Sequence, residues 1–247
     1  MSEDVGEAKA IRLGHPSYVW GFGQERRLQI VRRAVPLEGR RILDVGCGIG
    51  AYVGAFRRFS DHVFGVDVDF ERVAEAAQRL PNLAVATSEH LPFKSGSFDL
   101  VFMHEVIEHV DDDRRTLAEA ARVLAPGGRV VIYAPNRLFP FETHGAYLFG
   151  RYRFGNIPLV NYLPDPLRNR LAPHVRVYGP GDVERLLEGL PFQVEVHTHV
   201  YPAFDKVMQR HPIAARLARR VLYVLEHTPL HVFGLSHFVV ARRTSAV

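Results

Sequence analysis

Cysteine is almost missing from this chain: there is one, Cys47, in 247 residues. A single thiol excludes an internal disulfide framework and fits a reducing compartment, so a cytoplasmic location is expected. Long apolar runs are missing as well. No stretch approaches the roughly eighteen consecutive apolar residues that a membrane helix needs, so no span is expected. The start of the chain, Met1–Lys9, is polar and lacks the apolar core of a signal peptide; residues 1–10 are expected to be mobile. A strong charge of one sign is also absent. Thirty-one Lys and Arg against 27 Asp and Glu give a net +4, too mild to demand a polyanionic partner. Arginines do come in pairs (26–27, 32–33, 40–41, 57–58, 219–220, 242–243). Solvated helix faces account for them; a surface for nucleic acid or acidic lipid is the sharper alternative.

What is present is ordinary globular material, 47% apolar and 23% charged. It suffices for one large domain, or a domain with an insertion, around a sizeable core. The organising stretch is Arg41–Ala51, an apolar strand running into Gly46, Gly48 and Gly50. A helical pattern follows, with Tyr52, Val53, Ala55, Phe56 and Phe59 on one side. Glycines at such a turn let the backbone approach a ligand closely, and the helix start behind them offers unpaired N–H groups. Two cofactors compete for it. Gly46-x-Gly48-x-x-Ala51 can be fitted to a dinucleotide fingerprint. Asp44, two residues before the first glycine, would repel a pyrophosphate but suits a ligand carrying an ammonium group. A second strand, residues 62–66, ends at Asp67 with Val68 beside it; a carboxylate there can accept both ribose hydroxyls of either cofactor. Asp69 and Glu71 beyond it are expected to cap the next helix.

The pattern Asp44-x-Gly46-x-Gly48-x-Gly50 resembles motif I of the class I S-adenosylmethionine-dependent methyltransferases. Further segments extend the resemblance over residues 41–135: Leu91-Pro92-Phe93 before a Phe98-Asp99 strand start, Glu108-His109-Val110 after strand four, and Pro126-Gly127-Gly128 before strand five (129–134). Within this class the chain is similar to the quinone-pathway-like, methyltransferase 11-type family. The resemblance implies an α/β, Rossmann-like sheet of seven strands, six parallel and the last antiparallel, with helices on both faces and a cap insertion after strand five. It implies an N-terminal helical segment (1–40), a cofactor-binding half (41–135), a substrate cap (136–176) and a C-terminal half (177–247). It also implies S-adenosylmethionine as cofactor and S-adenosylhomocysteine as product, held by Asp44, Gly46, Cys47, Gly48, Gly50, Asp67, Val68, Ser88, Glu89 and His104. Thr87 departs from the family, standing where relatives often carry an Asp for the adenine amino group; Ser88 and Glu89 are the expected substitutes. Cys47, inside the turn, reads as a small residue rather than a nucleophile.

Methyl transfer from a sulfonium is an in-line displacement, so the protein mainly aligns the reactants and handles the acceptor's proton. His109 and His104 are the candidate bases, since imidazole titrates near neutrality, with Glu105 beside them. His144, from the cap, is an outside candidate, and His197 and His199 are expected to be structural. The spacing Glu105-x-x-Glu108-His109 also resembles the metal-binding motif of small-RNA 2′-O-methyltransferases, which a later histidine completes; His174 occupies the matching place. This gives a divalent-ion alternative at Glu105, Glu108, His109 and His174, better suited to manganese, iron or zinc than to magnesium, against the plainer expectation of no metal.

The leading expectation is O-methylation of a small, partly apolar acceptor, because residues 136–176 are rich in aromatics and a loop of this length is usually a lid. The alternatives are metal-assisted RNA 2′-O-methylation, a nicotinamide-dependent reductase and a non-catalytic adenosylmethionine-binding module. No obligate nucleic-acid partner is expected. An amphipathic helix over residues 213–226, with Arg216, Arg219 and Arg220 opposite its apolar stripe, is expected to pack on the cap or a second subunit, as in a homodimer, or to lie on a membrane surface. Tyr18, Trp20 and Phe22 are expected to be satellite core.

Overall fold

A computed structural model of the chain describes Ile11 and residues 20–244. The segment 1–10 and Tyr18 lie outside the described residues. Helix α1, Phe22–Ala34, leads into β1 (Ile42–Val45) and α2 (Ala51–Phe56). Then come β2 (Val63–Asp67), α3 (Phe70–Ala77), β3 (Leu83–Val85), β4 (Phe98–His104), α4 (Asp113–Val123) and β5 (Leu124–Pro135). The cap follows as four short strands, β6 (Phe141–Glu142), β7 (Ala146–Leu148), β8 (Arg151–Arg153) and β9 (Ile157–Pro158), with helix α5 (Asp165–Leu171). The chain closes with α6 (Asp182–Leu187), β10 (Phe192–Val200), α7 (Asp205–Arg210), α8 (Pro212–Leu225) and β11 (Ser236–Arg243).

Seven strands form one sheet in the order β10-β11-β5-β4-β1-β2-β3. Neighbours among β1–β5 pair in parallel, and β11 runs antiparallel between β5 and β10. The expected six-parallel, one-antiparallel sheet is therefore present. Side chains alternate across it: Leu43, Val45, Val101 and Met103 pack towards α4 and α6, while Ile42, Leu100 and Phe102 pack towards α1 and α2. The strand order reverses between β1 and β4, with β2 and β3 on one side and β5 on the other. In an open α/β sheet the crevice at the carboxyl ends of such a strand pair is where ligands bind. The glycine turn and the Glu105–His109 segment flank it.

Two expectations need correction. The Pro126-Gly127-Gly128 turn does not precede strand five but lies within it: Leu124 already pairs with Phe98, and the register slips before Leu100, with Gly127 at φ +78 taking up the irregularity. The cap holds the short helix α5 and the 3₁₀ turn Val160–Tyr162 beside two small antiparallel ribbons. Phe149 and Gly150 link β7 to β8 with φ of +51 and +76, the sign pattern that a tight two-residue hairpin requires. Finally, α8 turns its apolar stripe outward: Ile213, Leu217, Val221 and Val224 are exposed. Arg219 points in instead, its guanidinium bonded to Asp205 and the Ala203 carbonyl and lying 4.2 Å from the Phe22 ring centroid. Trp20 meets the satellite-core expectation, lying edge-on to Tyr52 at 5.1 Å. Phe22 is exposed on its other side.

The arginine pairs have a structural explanation. Each supplies a member to an internal ion pair: Arg26 with Glu226, Arg32 with Glu38, Arg41 with Asp99, Arg58 with Glu25, Arg219 with Asp205 and Arg242 with Glu195. Among the described residues no helix is long and apolar enough to cross a membrane.

Two glycines separate the cost of left-handed backbone from the cost of a clash. Gly39 (φ +67) has open space where a Cβ would stand, whereas a Cβ on Gly50 (φ +81) would run into Leu80. Gly39→Ala should cost about 1–2 kcal/mol, the left-handed penalty alone. Gly50→Ala should cost clearly more, on the order of 3 kcal/mol, as read from urea unfolding midpoints of the two variants.

Candidate active site

The turn after β1 is built on backbone bonds that leave one glycine open. Gly46 and Cys47 N–H donate to the Val66 carbonyl at 2.8 and 2.9 Å. Gly46 (φ +73) must lack a side chain, because a Cβ would lie 2.5 Å from Val106 on the segment after β4. Gly48 (φ +52) has no atom within 4 Å of its Cβ position, so a ligand can meet its backbone directly. Asp67 accepts from Gly48 N–H through Oδ2 at 2.8 Å and from Asp69 N–H through Oδ1 at 2.9 Å. Each carboxylate oxygen has a second lone pair, so acceptor capacity for two hydroxyls remains. Asp69 caps α3 by accepting from Glu71 and Arg72 N–H, as its position in the sequence suggested.

Asp44 does not stand at the ligand surface. It is buried beneath the turn and makes a main-chain hydrogen bond at Val53; burial, with Asp67 as a negative neighbour, raises its pKa. Its place is to tie the turn to α2, not to meet an ammonium group directly. The Cys47 thiol is buried too, its proton held more tightly by that burial and by Asp44 and Asp67. This keeps it a thiol and fits the small-residue reading.

A cavity of about 760 Å³ opens at the crevice, and Gly46, Asp67, Val68, Ser88, Glu89, Glu105 and His109 lie on its wall. Val68 and Phe70 offer it exposed apolar surface. Ser88 and Glu89 line it, but both side chains have internal partners. Ser88 Oγ pairs with Thr116 Oγ1 at 2.8 Å, and Glu89 Oε1 accepts from Asp111 and Asp112 N–H at 3.1 and 3.4 Å. Thr87 is also on the wall.

The segment after β4 is where charge accumulates. Glu105 adopts φ +56, a left-handed conformation that costs a non-glycine residue energy and survives only where its surroundings enforce it. Two bonds do so: its N–H donates to the Tyr133 carbonyl at 3.0 Å, and its Oε1 accepts from Ser236 Oγ at 2.9 Å. Glu108 is 2% exposed, and neither carboxylate oxygen has a hydrogen-bond partner. Burial and the nearby Glu105 charge push its pKa up. His109 lies on the cavity wall, its pKa pushed down to about 4 by burial and by the adjoining His144.

His144 comes down from the cap to complete the group. Its Nε2 lies 3.7 Å from Glu105 Oε2 and 4.0 Å from Glu108 Oε1, and its ring centroid is 5.3 Å from that of His109. Glu108, His109 and His144 each offer a ligand atom within 4.8 Å of the others. Behind it stands a relay that sequence reasoning missed. His144 Nδ1 pairs with Glu142 Oε1 at 3.1 Å, and Glu142 Oε2 accepts from buried Arg168 at 2.8 Å. Arg168 in turn donates to the Ala172 and Val175 carbonyls. The only signal was the run Glu142-Thr143-His144; nothing in spacing tied it to Arg168.

Two histidines leave the roles expected of them. His174 is not in the donor group: its Nε2 meets the His144 carbonyl at 3.3 Å and its ring packs on Tyr147 and Tyr152. The metal alternative with His174 as fourth ligand is therefore corrected, since His144 occupies that place. His104 is off the cavity wall, lying among Tyr52, Phe102 and Tyr133 with ring centroids 5.0–6.1 Å away. Burial holds its pKa down to about 3. It is an aromatic-core histidine, neither a base nor a cofactor contact. The lead into α6 explains its own pattern: Arg176 N–H donates to the Glu108 carbonyl at 3.1 Å, its guanidinium to Asp111 O, and Tyr178 OH to Ile107 O at 2.9 Å. Together they clamp the charged segment.

With this geometry in view, comparison with known proteins decides the family. A family described as "Methyltransferase domain" matches residues 43–132. Residues 43–132 carry a methyltransferase domain, similar to that of proteins named S-adenosylmethionine-dependent methyltransferases. A curated relative, the ubiquinone biosynthesis O-methyltransferase of Caulobacter sp. (strain K31), is 36% identical over 158 residues, 59% of this chain and 63% of the relative. The protein of the same name from Aromatoleum aromaticum is 32% identical over 130 residues, 50% of this chain and 53% of that one. The chain thus spans about half to three-fifths of the length of these relatives. An S-adenosylmethionine-dependent methyltransferase structure from Mesorhizobium loti superposes with a TM-score of 0.60 at 21% identity, covering 87% of this chain and 96% of that one; it supports the fold.

The methyltransferase domain passes a fit test for the cofactor on its own residues. The open Gly48 backbone, the spare acceptor capacity of Asp67 and the apolar Val68 and Phe70 wall are features a nucleoside needs, in a cavity large enough to take it.

His104→Phe tests the reassignment of His104. A histidine with a folded pKa near 3 and an unfolded value near 6.5 is neutral when folded. The stability that its neutrality supports is fully present above pH 6.5 and is lost as pH falls towards 3, at up to about 1.4 kcal/mol per pH unit. The variant should flatten that acid-side slope in pH-dependent unfolding while leaving cofactor binding intact.

Proposed function

We propose that this chain transfers a methyl group from S-adenosylmethionine to a hydroxyl of a small, partly apolar acceptor. The observation that carries the reading is the placement of Glu105 and His109 on the wall of the same cavity as Gly46 and Asp67. The curated relatives named as O-methyltransferases support oxygen as the acceptor atom. The aromatic and aliphatic side chains of the cap support an acceptor with apolar bulk.

Asp67 and the glycine turn would hold the nucleoside, which presents an electrophilic methyl carbon on a sulfonium. The chain's own work is then alignment and proton handling. His109 is the base: burial beside His144 keeps its imidazole unprotonated at neutral pH, ready to take a hydroxyl proton. His144 is a positioning residue, oriented through Nδ1 by Glu142, which Arg168 anchors. Glu105, whose pKa the neighbouring histidines help to hold down, supplies the negative charge that stabilises a newly formed imidazolium.

A second reading of the same residues has an observation in its favour. A buried carboxylate with two unpartnered oxygens demands a cation or a proton. Glu105, Glu108, His109 and His144 together would suit a borderline divalent ion such as manganese, iron or zinc, which would acidify the acceptor hydroxyl. One arginine of each pair that motivated RNA as acceptor is engaged in an internal ion pair, which weakens the case for RNA against a small acceptor.

His109→Ala should lower kcat by about 10²–10⁴-fold while S-adenosylhomocysteine still binds, measured against a panel of catechol and phenol acceptors. If chelation with EDTA leaves wild-type turnover unchanged, the base reading stands; if EDTA abolishes turnover and manganese or zinc restores it, the divalent-ion reading replaces it.

We likewise propose a cytoplasmic protein that touches anionic lipid through α8, whose outward Ile213, Leu217, Val221 and Val224 lie beside the exposed Arg216 and Arg220. Co-sedimentation with anionic vesicles should be lost in Leu217→Asp/Val221→Asp. A wild type that ignores vesicles but is a dimer, made monomeric by the same substitutions, would assign this face to a second copy instead.

A further inference from the structure

A group of imidazoles outside the candidate active site has the hydrogen-bonding logic of a metal centre. His197 and His199 lie on β10, His237 on β11 and His231 on the 3₁₀ turn Pro229–Phe233 that packs beside them. One ring nitrogen from each of His197, His199 and His237 lies within 4.8 Å of the others. His237 is fully buried and His199 is 6% exposed.

Partners outside the group fix the protons. His237 Nε2 faces the Tyr178 carbonyl at 2.8 Å. A carbonyl only accepts, so Nε2 carries the proton and Nδ1 is left as a lone pair. His197 Nδ1 faces Glu184 Oε1 at 2.9 Å. A carboxylate also only accepts, so Nδ1 carries a proton. The facing nitrogens of the two rings, His197 Nε2 and His237 Nδ1, lie 2.9 Å apart. With His237 Nδ1 a lone pair, something positive must stand between them, either a proton on His197 Nε2 or a metal ion. His199 adds a third ring: its Nδ1 contacts His231 Nδ1 at 3.1 Å, and its buried Nε2 has no partner. A carboxylate behind His197 and a carbonyl behind His237, each fixing a ring proton, are the outer-shell arrangement of zinc sites.

We propose that His197, His199 and His237 bind a divalent ion of the zinc class, with Glu184 and the Tyr178 carbonyl as outer-shell supports. Three imidazoles with no carboxylate ligand select zinc, nickel, cobalt or copper over magnesium or calcium. Burial and the surrounding imidazoles hold the pKa values of His199 and His237 down to about 3 and about 4, so both are in the neutral, ligating form at neutral pH. The ion would staple β10 to β11 beside Ser236, whose hydroxyl supports Glu105. The site therefore buttresses the reaction centre from outside it and does not depend on which activation mechanism operates there.

The test is zinc binding to the EDTA-stripped, dialysed full chain, read by calorimetric titration with zinc chloride and by the absorption spectrum of the cobalt(II)-substituted protein. The wild type should bind zinc with a low-coordinate cobalt spectrum. Glu184→Gln, a substitution at a half-exposed surface carboxylate, should weaken zinc about 10- to 100-fold, as outer-shell changes do. His197→Gln should weaken it further. The double variant His109→Ala/His144→Ala should retain the site with its cobalt spectrum. A wild type that binds no zinc overturns the proposal. So does zinc bound equally by wild type, Glu184→Gln and His197→Gln, or lost only in the His109→Ala/His144→Ala variant, which would place the ion among the active-site carboxylates.

Discussion

Two carboxylates, Glu105 partly buried on the cavity wall and Glu108 fully buried, stand close together at the carboxyl end of β4, and much of the neighbouring structure answers that cost. Like charges in a low-dielectric site repel strongly and each loses hydration. Glu105 shares the burden through Ser236 and a main-chain bond to Tyr133. Glu108 has no hydrogen-bonding partner for either oxygen and responds by holding its proton more tightly. The site is poised for positive charge, whether an imidazolium formed during the reaction or a bound ion.

That constraint explains the elements around it. The segment after β5 brings His144 to the carboxylates and fixes its ring through the buried Glu142–Arg168 pair. Buried ion pairs are poor sources of net stability but good at imposing one geometry. Arg176 and Tyr178 grip the carbonyls of Ile107, Glu108 and Asp111. The strained φ of Glu105 is thereby held from three sides: the sheet, β11 and the lead into α6. Asp67 and Gly46 lie on the wall of the same cavity, so the glycine turn and the charged segment share one space.

Local pattern carried much of this in the sequence. The strands were legible because their apolar runs end in glycine or acidic residues, and Asp67 could be read from its place at the end of β2. The turn glycines were legible because only glycine tolerates those dihedrals. Non-local pairing was not legible. Asp44 looked like a ligand contact because its carboxylate is adjacent to the turn, yet the alternation of β1 points it beneath the turn. His174 matched a motif by position, but its ring is committed to the cap and His144 takes the expected place. Arg168 and Glu142, 26 residues apart, show no spacing that would pair them. The stripe of α8 was legible, but which of the cap, a second copy or a lipid surface meets it was not, because amphipathicity shows which face is apolar and not what covers it.

The central claim is that the crevice between β1 and β4 binds S-adenosylmethionine with Asp67 as its hydroxyl acceptor. Calorimetric titration of S-adenosylmethionine into wild type and Asp67→Ala tests it most directly. The account predicts saturable one-site binding by the wild type and at least about a tenfold loss in the variant, the size expected when charge-assisted hydrogen bonds are removed. No binding by the wild type, or equal binding by both, would contradict it.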